Sequence, residues 1–256
     1  MASAPSPLSL FVVVPFYNEA RLIRGTLEAL AAQSDADFRL VLVDNASTDA
    51  SREVVYAFAR EHLQLKLDMI YESCKGTGVA SDSGFRYAIS RGATHIARTD
   101  ADSLPDVHWV RNTKRAFRDH RLEFVAGTIK PRTDDIAQSR FDRLLIPILL
   151  WLAEQTGKLR RRGPQFKYPY ILAAGNNLAI TAELYERAGG FPRTSIDYEH
   201  EDRVLSERVR TLTTRGGARS DVVVYNSTRR VKRYGYARTI VWYVFHRGTL
   251  PEVDVR

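Results

Sequence analysis

The sequence predicts an α/β fold: one domain built on a mostly parallel central sheet with helices on both faces. Three observations predict it. Short, nearly continuous apolar runs such as "SLFVVVP", "FRLVLVDN" and "ATHIARTD" read as strands buried on both faces. The segments between them carry apolar residues at helical spacing. The two kinds of segment alternate through the first half of the chain, which is the pattern of βαβ units and a parallel sheet.

In order, "SLFVVVP" is the first strand, and "NEARLIRGTLEALAAQ" is a helix with Leu22, Ile23, Leu27 and Leu30 on one face. "FRLVLVDN" is the second strand. "DASREVVYAFAREHL" is a helix with Val54, Val55 and Phe58 inward, and "LKLDMIY" is a strand. "GVASDSGFRYAISRG" is a helix closed by Gly92, "ATHIARTD" a strand, "PDVHWVRNTKRAFRDH" a helix opened by Pro105, and "EFVAGTI" a strand. Beyond these, residues 134–160 read as a long helix kinked at Pro147. "AAGNNLAI" is a loop followed by a strand. Thr181 caps a short helix that Gly189 and Gly190 end. "EHEDRVLSERVRTL" is helical and "DVVVYN" is the last strand. No linker composition interrupts residues 1–256, so a single domain is expected.

The bulk numbers fit this picture. A chain of 256 residues can bury a sizeable core, and 44% hydrophobic with 27% charged residues is an ordinary globular balance. Cys74 is the only cysteine, so no intrachain disulfide forms; this agrees with a reducing compartment, and a cytoplasmic location is expected. The N-terminal stretch lacks a basic n-region and its apolar run is short, so it reads as a strand rather than a signal peptide. The run "LLIPILLWLA", Leu144–Ala153, is well short of the ~20 residues of a membrane span and reads as a core helix or an interfacial one. The net charge is +8, with basic clusters at Lys158–Lys167 and Arg229–Arg238. Such clusters attract nucleic acid, anionic lipid or anionic small molecules, or simply form a solvated face.

The chemistry concentrates where strands end. In "HIARTDADSLP", Asp100 and Asp102 stand one residue apart, and in extended backbone they project to the same side. Like charges that close repel unless something positive sits between them. Two readings follow: a strand-end turn, since Asp is a turn former and Pro105 follows, or a cation site completed by a phosphate ligand. Asp44 closes the second strand in "LVLVDN". Ligands of open α/β sheets bind beyond the carboxyl ends of strands.

Four segments in order, "VVVPFYNEARLI", "LVLVDNASTDAS", "HIARTDADS" and "AAGNNLAITAELYERAGGFP" with "EHEDRVLSER", resemble inverting glycosyltransferases of family 2, which have the GT-A fold. The resemblance covers roughly residues 8–215. It implies transfer of a single sugar from a nucleotide sugar, UDP by default, to an acceptor hydroxyl, with a donor half at about 8–130 and an acceptor half at about 131–256. It implies that Asp44 accepts the N–H of a uracil ring; capping of the following helix, which Asp49 also offers, is the alternative. Pro15, Tyr17 and Glu19 would line the same cleft, with a surface turn as the alternative for the last two. Asp100 and Asp102 match the DXD motif: Asp102 would bind Mn²⁺ or Mg²⁺, while Asp100 lies nearer the ribose or reaches the metal through water. Gly175, Asn176 and Asn177 would lie beside the donor sugar, glycine permitting close backbone approach. The acidic pair of "EHEDRVLSER" resembles the family's ED motif, with Asp202 as general base and Glu201 in reserve. His200 and His246 are read as structural as readily as metal-assisting, and stay outside the metal set.

The chain also departs from the family pattern. An Arg-Asn pair often found on the third helix is replaced by Ser81 and Asp82, and Lys75 is the candidate to supply the missing positive charge. The Gln-x-x-Arg-Trp motif of processive synthases is absent, which favours single transfer. The acceptor is expected to be a small molecule or lipid-linked, with Phe141–Ala153 and the basic clusters as a peripheral membrane contact; no nucleic-acid partner is expected. Two rivals remain. A haloacid-dehalogenase-like phosphatase also uses two Asp one residue apart, but carries Thr or Val where this chain has Leu104. A basic nucleic-acid-binding protein accounts for the Arg-rich clusters but for neither acidic pair. A dinucleotide-binding dehydrogenase would need G-x-G-x-x-G where "PFYNEA" stands.

Overall fold

The computed structural model describes residues 8–134, 148, 151, 152, 154–158, 162–193, 200–229 and 235. The first half alternates as expected: β1 (Leu10–Phe16), α1 (Ile23–Ala31), β2 (Arg39–Asp44), α2 (Ser51–Glu61), β3 (Leu67–Tyr71), α3 (Thr77–Ser90) and β4 (His95–Arg98). Then come β5 (Ser103–Pro105), α4 (Trp109–Arg118) and β6 (Phe124–Pro131). A single 3₁₀ turn at Gly175–Asn177 leads into β7 (Leu178–Thr181), followed by α5 (Ala182–Arg187), α6 (Glu201–Leu212) and β8 (Gly216–Asn226).

The eight strands form one sheet in the order β3-β2-β1-β4-β7-β6-β8-β5. β3, β2, β1 and β4 run parallel. β7 is antiparallel to both β4 and β6, β8 is parallel to β6, and the short β5 is antiparallel to β8 at the edge. Every residue of β1 is buried because helices cover both of its faces. Its side chains alternate between two cores. Leu10, Val12, Val14 and Phe16 pack with Ile23, Leu27 and Leu30 of α1, Phe58 of α2 and Trp109 of α4. Phe11 and Val13 pack with Phe85 of α3, Leu184 and Tyr185 of α5, and Leu205 and Val209 of α6. Each such side chain stabilises the fold by about 1.5–3 kcal/mol when fully buried.

Four details differ from the sequence reading. β4 stops at Arg98, so Asp100 and Asp102 lie beyond the strand rather than in it. Pro105 belongs to β5, paired with Val224, and α4 opens four residues later at Trp109; three residues are too few to show a period. β1 runs one residue past the expected strand, to Phe16, with Pro15 inside it opposite Val43. β8 begins at Gly216, ahead of the expected "DVVVYN". The helix expected over 134–160 lies mostly outside the described residues, of which 148, 151, 152 and 154–158 are helical. Thr181 caps α5 as anticipated, its Oγ1 accepting from the Leu184 N–H at 3.3 Å, and Gly189 and Gly190 close it with φ of 76° and 73°.

Candidate active site

The carboxyl ends of β1, β2 and β4 lie side by side, and side-chain hydrogen bonds lace their loops together. The backbone N–H of Asn45 donates to the Phe16 carbonyl at 2.8 Å. Asn18, at a φ of 53°, accepts from the Thr48 N–H at 2.8 Å. The Glu19 N–H donates to Ser51 Oγ at 2.8 Å and that of Ala20 to Asp49 Oδ2 at 3.1 Å. Asn45 then holds the loop after β3: its amide donates to the carbonyls of Glu72 (3.2 Å) and Cys74 (2.7 Å), and its oxygen accepts from the Gly76 N–H at 2.8 Å. That loop carries Lys75, whose Nζ donates to Tyr17 Oη at 3.0 Å. Asp44 is buried; its Oδ1 accepts from the Ser47 N–H at 2.9 Å and its Oδ2 pairs with Arg52 Nε. Asp49 hydrogen-bonds Ser51 at the start of α2. Both aspartates therefore hold the turn into α2 in this state.

The 100–102 segment is a turn, with the Ser103 N–H donating to the Asp100 carbonyl at 3.1 Å. Its two carboxylates meet different cations. Asp100 Oδ1 accepts from Arg98 Nη2 at 3.1 Å and Nε at 3.3 Å. Asp102 Oδ2 accepts from Arg229 Nη2 at 3.0 Å. Arg229, just past β8, also grips Glu19, with Nη1 3.0 Å from Oε2 and Nη2 on Oε1. The turn's backbone is anchored too: Thr26 Oγ1 donates to the Ala101 carbonyl at 2.8 Å and Arg132 Nη1 to that of Asp102 at 3.2 Å. The repulsion implied by two acids one residue apart is thus relieved by two arginines.

Among the described residues no group of three or more His, Cys, Asp and Glu side chains forms a ready-made metal cage. A Mg²⁺ or Mn²⁺ that works on a diphosphate does not need one. It takes one or two carboxylates from the protein and the rest of its oxygens from phosphate and water. Asp102, with Asp100 beside it, fits that requirement. The Arg229 guanidinium between Glu19 and Asp102 marks where a positive charge is already accommodated. His246 lies outside the described residues, and His200 is the residue before α6.

The second acidic pair opens α6, and the two acids differ in environment. Glu201 is buried and its Oε1 accepts from Arg98 Nη1 at 3.0 Å. Asp202 is partly exposed; its Oδ2 accepts from the Gly175 N–H at 2.9 Å and its Oδ1 from the Arg203 N–H at 2.6 Å. Desolvation raises both carboxyls above their ordinary pKa; at Asp202 it outweighs the hydrogen bonds from Gly175 and Arg203 and the nearby Arg98 charge. Gly175 has to be glycine: a Cβ there would sit 2.7 Å from Cζ of Arg98. Asn176 is buried, and its Oδ1 finds no hydrogen-bond partner among the described residues. Asn177 is fully engaged: Trp109 Nε1 donates to its Oδ1 at 2.9 Å, and its Nδ2 donates to the carbonyls of Thr128 (2.9 Å) and Val222 (3.0 Å). Asn177 fixes the turn, which leaves Gly175 and Asn176 as the faces it offers.

The sequence reading missed Arg98 and did not single out Arg229. Arg98 had a signal: a cation in a four-residue strand that is otherwise nearly apolar must be paired if buried. Arg229 had none, being one base among several in its cluster. Asp82 is fully buried and accepts from Tyr185 Oη (2.8 Å), Arg86 Nε (2.8 Å) and Arg193 Nη1 (3.2 Å). It ties α3 to the segment after α5.

Comparison with known proteins finds related sequences and related folds. Over 119 residues the chain is 39% identical to a validoxylamine A glucosyltransferase of Streptomyces hygroscopicus subsp. jinggangensis, 45% of this chain and 26% of that protein. Over 130 residues it is 28% identical to an uncharacterized glycosyltransferase of Nostoc sp., 48% of this chain and 39% of that one. The chain thus matches well under half the length of these curated relatives. Two solved structures share its fold. A Pyrobaculum calidifontis mannosyltransferase in complex with GDP-Man and Mn²⁺ superposes with a TM-score of 0.64 at 24% identity, over 94% of this chain and 65% of that one. Staphylococcus aureus TarS 1–349 gives 0.63 at 17% identity, over 95% and 67%. The mostly parallel sheet with helices on both faces is the GT-A fold. The sequence profile of Glycosyl transferase family 2 matches residues 11–177, more than half of the chain, and the chain therefore belongs to that family of sugar-transferring enzymes.

Proposed function

We propose that the chain transfers one sugar from a nucleotide sugar to an acceptor hydroxyl, with inversion, using Asp202 as general base. The observation that carries this reading is the division of labour in the second acidic pair. Glu201 is buried with its carboxylate committed to the Arg98 guanidinium, while Asp202, less enclosed as a residue, accepts from the backbone N–H groups of Gly175 and Arg203. A base must be able to take the acceptor's proton, and a carboxylate held in a guanidinium ion pair is the less suited of the two. Desolvation also raises its pKa, which makes it a better proton acceptor as long as it stays ionised. The hydroxyl proton passes to Asp202, the oxygen attacks the anomeric carbon, and the bond to the diphosphate breaks with its electrons leaving on the nucleoside diphosphate. Tyr17 and Lys75 would line the nucleotide end, and Asp44, which holds the turn into α2 through Ser47 and Arg52, would have to exchange those partners to accept from a base. Solved neighbours have been captured with UDP, UDP-GlcNAc and GDP-Man with Mn²⁺. When bound at Asp102, with Asp100 in support, a divalent cation would supply charge neutralisation for the leaving diphosphate. Family membership favours sugar transfer over the phosphatase reading.

A second proposal concerns the acceptor. Ile148, Trp151 and Leu152 are 44%, 58% and 45% exposed and share a helical spacing. The chain is strongly basic, and an apolar helical face on a basic protein suits an anionic membrane surface carrying a lipid-linked acceptor. The rest of the stretch 141–153 lies outside the described residues, and no helix among the described residues is long and apolar enough to cross a membrane.

Asp202→Asn keeps shape and hydrogen bonding but cannot take the proton. Release of nucleoside diphosphate from the donor should fall by about 10²- to 10⁴-fold with donor affinity nearly unchanged, and NMR should assign the product the anomeric configuration opposite to the donor. Near-normal turnover, or retention of configuration, would reject the direct displacement. For the cation, calorimetry on Asp102→Ala should show binding of UDP with Mn²⁺ weakened far more than binding of uridine; equal losses would exclude a metal role. Co-sedimentation with anionic liposomes at low salt should pellet the protein, less so for Trp151→Ala, and failure to pellet would point to a soluble acceptor.

A further inference from the structure

We propose that Arg98 is a positioning residue for the transfer reaction: one guanidinium grips Asp100 and Glu201 together and packs against Gly175, which fixes the base Asp202 relative to the donor. This inference rests on the nucleotide-sugar reading above and deepens it.

Arg98 is the last residue of β4 and 1% exposed. Its Nε and Nη2 both reach Asp100 Oδ1, at 3.3 and 3.1 Å, and its Nη1 reaches Glu201 Oε1 at 3.0 Å. Its Cζ lies 5.6 Å from the centroid of the Phe191 ring. Gly175, which leaves room for the guanidinium, donates its own N–H to Asp202. The first acid of the 100–102 turn, the first acid of α6 and the turn before β7 therefore converge on one planar group. Chain segments about a hundred residues apart meet there, with |i−j| of 103 between Arg98 and Glu201. A guanidinium suits this task because its fork points donors in fixed and separate directions. A lysine ammonium has one flexible point charge and cannot hold two carboxylates in a set geometry. Arg98 is buried and satisfied by protein acids, so it is not the cation that meets the diphosphate; Lys75, whose one hydrogen bond among the described residues is to the Tyr17 hydroxyl, is better placed for that. Its effect on the reaction must pass through Glu201, Asp100 and Gly175.

The test uses the full chain with two probes. Calorimetry gives the affinity for UDP with Mn²⁺. Hydrolysis of UDP-glucose, UDP-N-acetylglucosamine or GDP-mannose, with water as acceptor, gives kcat and KM. Arg98→Lys and Glu201→Gln should each lower kcat by about 10²-fold, the usual cost of misplacing a reacting group by ~1 Å. The affinity of Glu201→Gln for UDP with Mn²⁺, and its KM, should stay within about threefold, because Glu201 is engaged by Arg98 rather than by the donor; Arg98→Lys also loosens Asp100, so its loss of kcat should exceed its loss of affinity. The double variant should be no slower than the slower single, as expected of residues that act as one unit. A merely structural role would lower affinity and kcat together. If Arg98→Lys does not fold, Glu201→Gln decides alone. The proposal is overturned if either folded variant keeps its kcat, or if Arg98→Lys loses UDP affinity while kcat survives. A wild-type chain that binds no UDP with Mn²⁺ and hydrolyses none of the three sugars would instead overturn the nucleotide-sugar reading, and this proposal with it.

Discussion

A guanidinium buried at the end of β4 must be neutralised where it lies, and the site is arranged around that demand. An unpaired ion in the interior costs several kcal/mol, and removing one member of a buried pair costs about 3–5 kcal/mol. Arg98 meets the demand with Asp100 from its own strand end and Glu201 from α6. Burial alone would lower its pKa, but the carboxylates of Asp100, Glu201 and Asp202 hold it above the ordinary value. The pairing brings α6 to the 100–102 turn, and the space the guanidinium needs excludes any side chain at residue 175.

The sheet topology explains why the other acids meet here. The chain runs outward from β1 through β2 to β3, then returns to place β4 on the opposite side of β1. This reversal opens a crevice beyond the carboxyl ends of β1 and β4, the place where open α/β sheets bind ligands. Glu19 follows one strand and Asp102 the other, and Arg229 reaches both from the end of β8. Around the rim, Asn18, Asn45, Ser47 and Ser51 satisfy loop N–H groups and carbonyls that would otherwise need water. Loops tied to one another in this way, with the acids Glu19 and Asp102 beside the cations Arg229 and Lys75, suit an anionic ligand delivered with a cation.

Much of this was legible in the residues. The apolar runs of β1 and β2 and the helical spacing in α1 and α2 identified the alternating first half, because a strand covered on both faces leaves a continuous apolar signature. Thr181, Gly189 and Gly190 marked both ends of α5. The acidic pairs at 100–102 and 201–202 stood out, but not what each acid does. That depends on Arg98 and Arg229, whose partners are far away in sequence. β5 was too short to show a period, and β4 was read as far as Asp100 although it stops at Arg98, because local alternation cannot report where sheet pairing stops. Asn177 was read as facing the sugar, whereas its amide spans Trp109, Thr128 and Val222, a burial that no local pattern reveals.

The central claim is that the crevice beyond β1, β2 and β4 is a nucleoside-diphosphate site loaded with a divalent cation. Thermal unfolding of the full chain with UDP, GDP or dTDP, each with and without Mn²⁺, tests it most directly. At about 100 times its dissociation constant the cognate nucleotide should stabilise the protein by about 2.7 kcal/mol, only in the presence of the cation, and the other nucleotides should do markedly less. No stabilisation by any of the three with Mn²⁺, or the same stabilisation without it, would contradict the account.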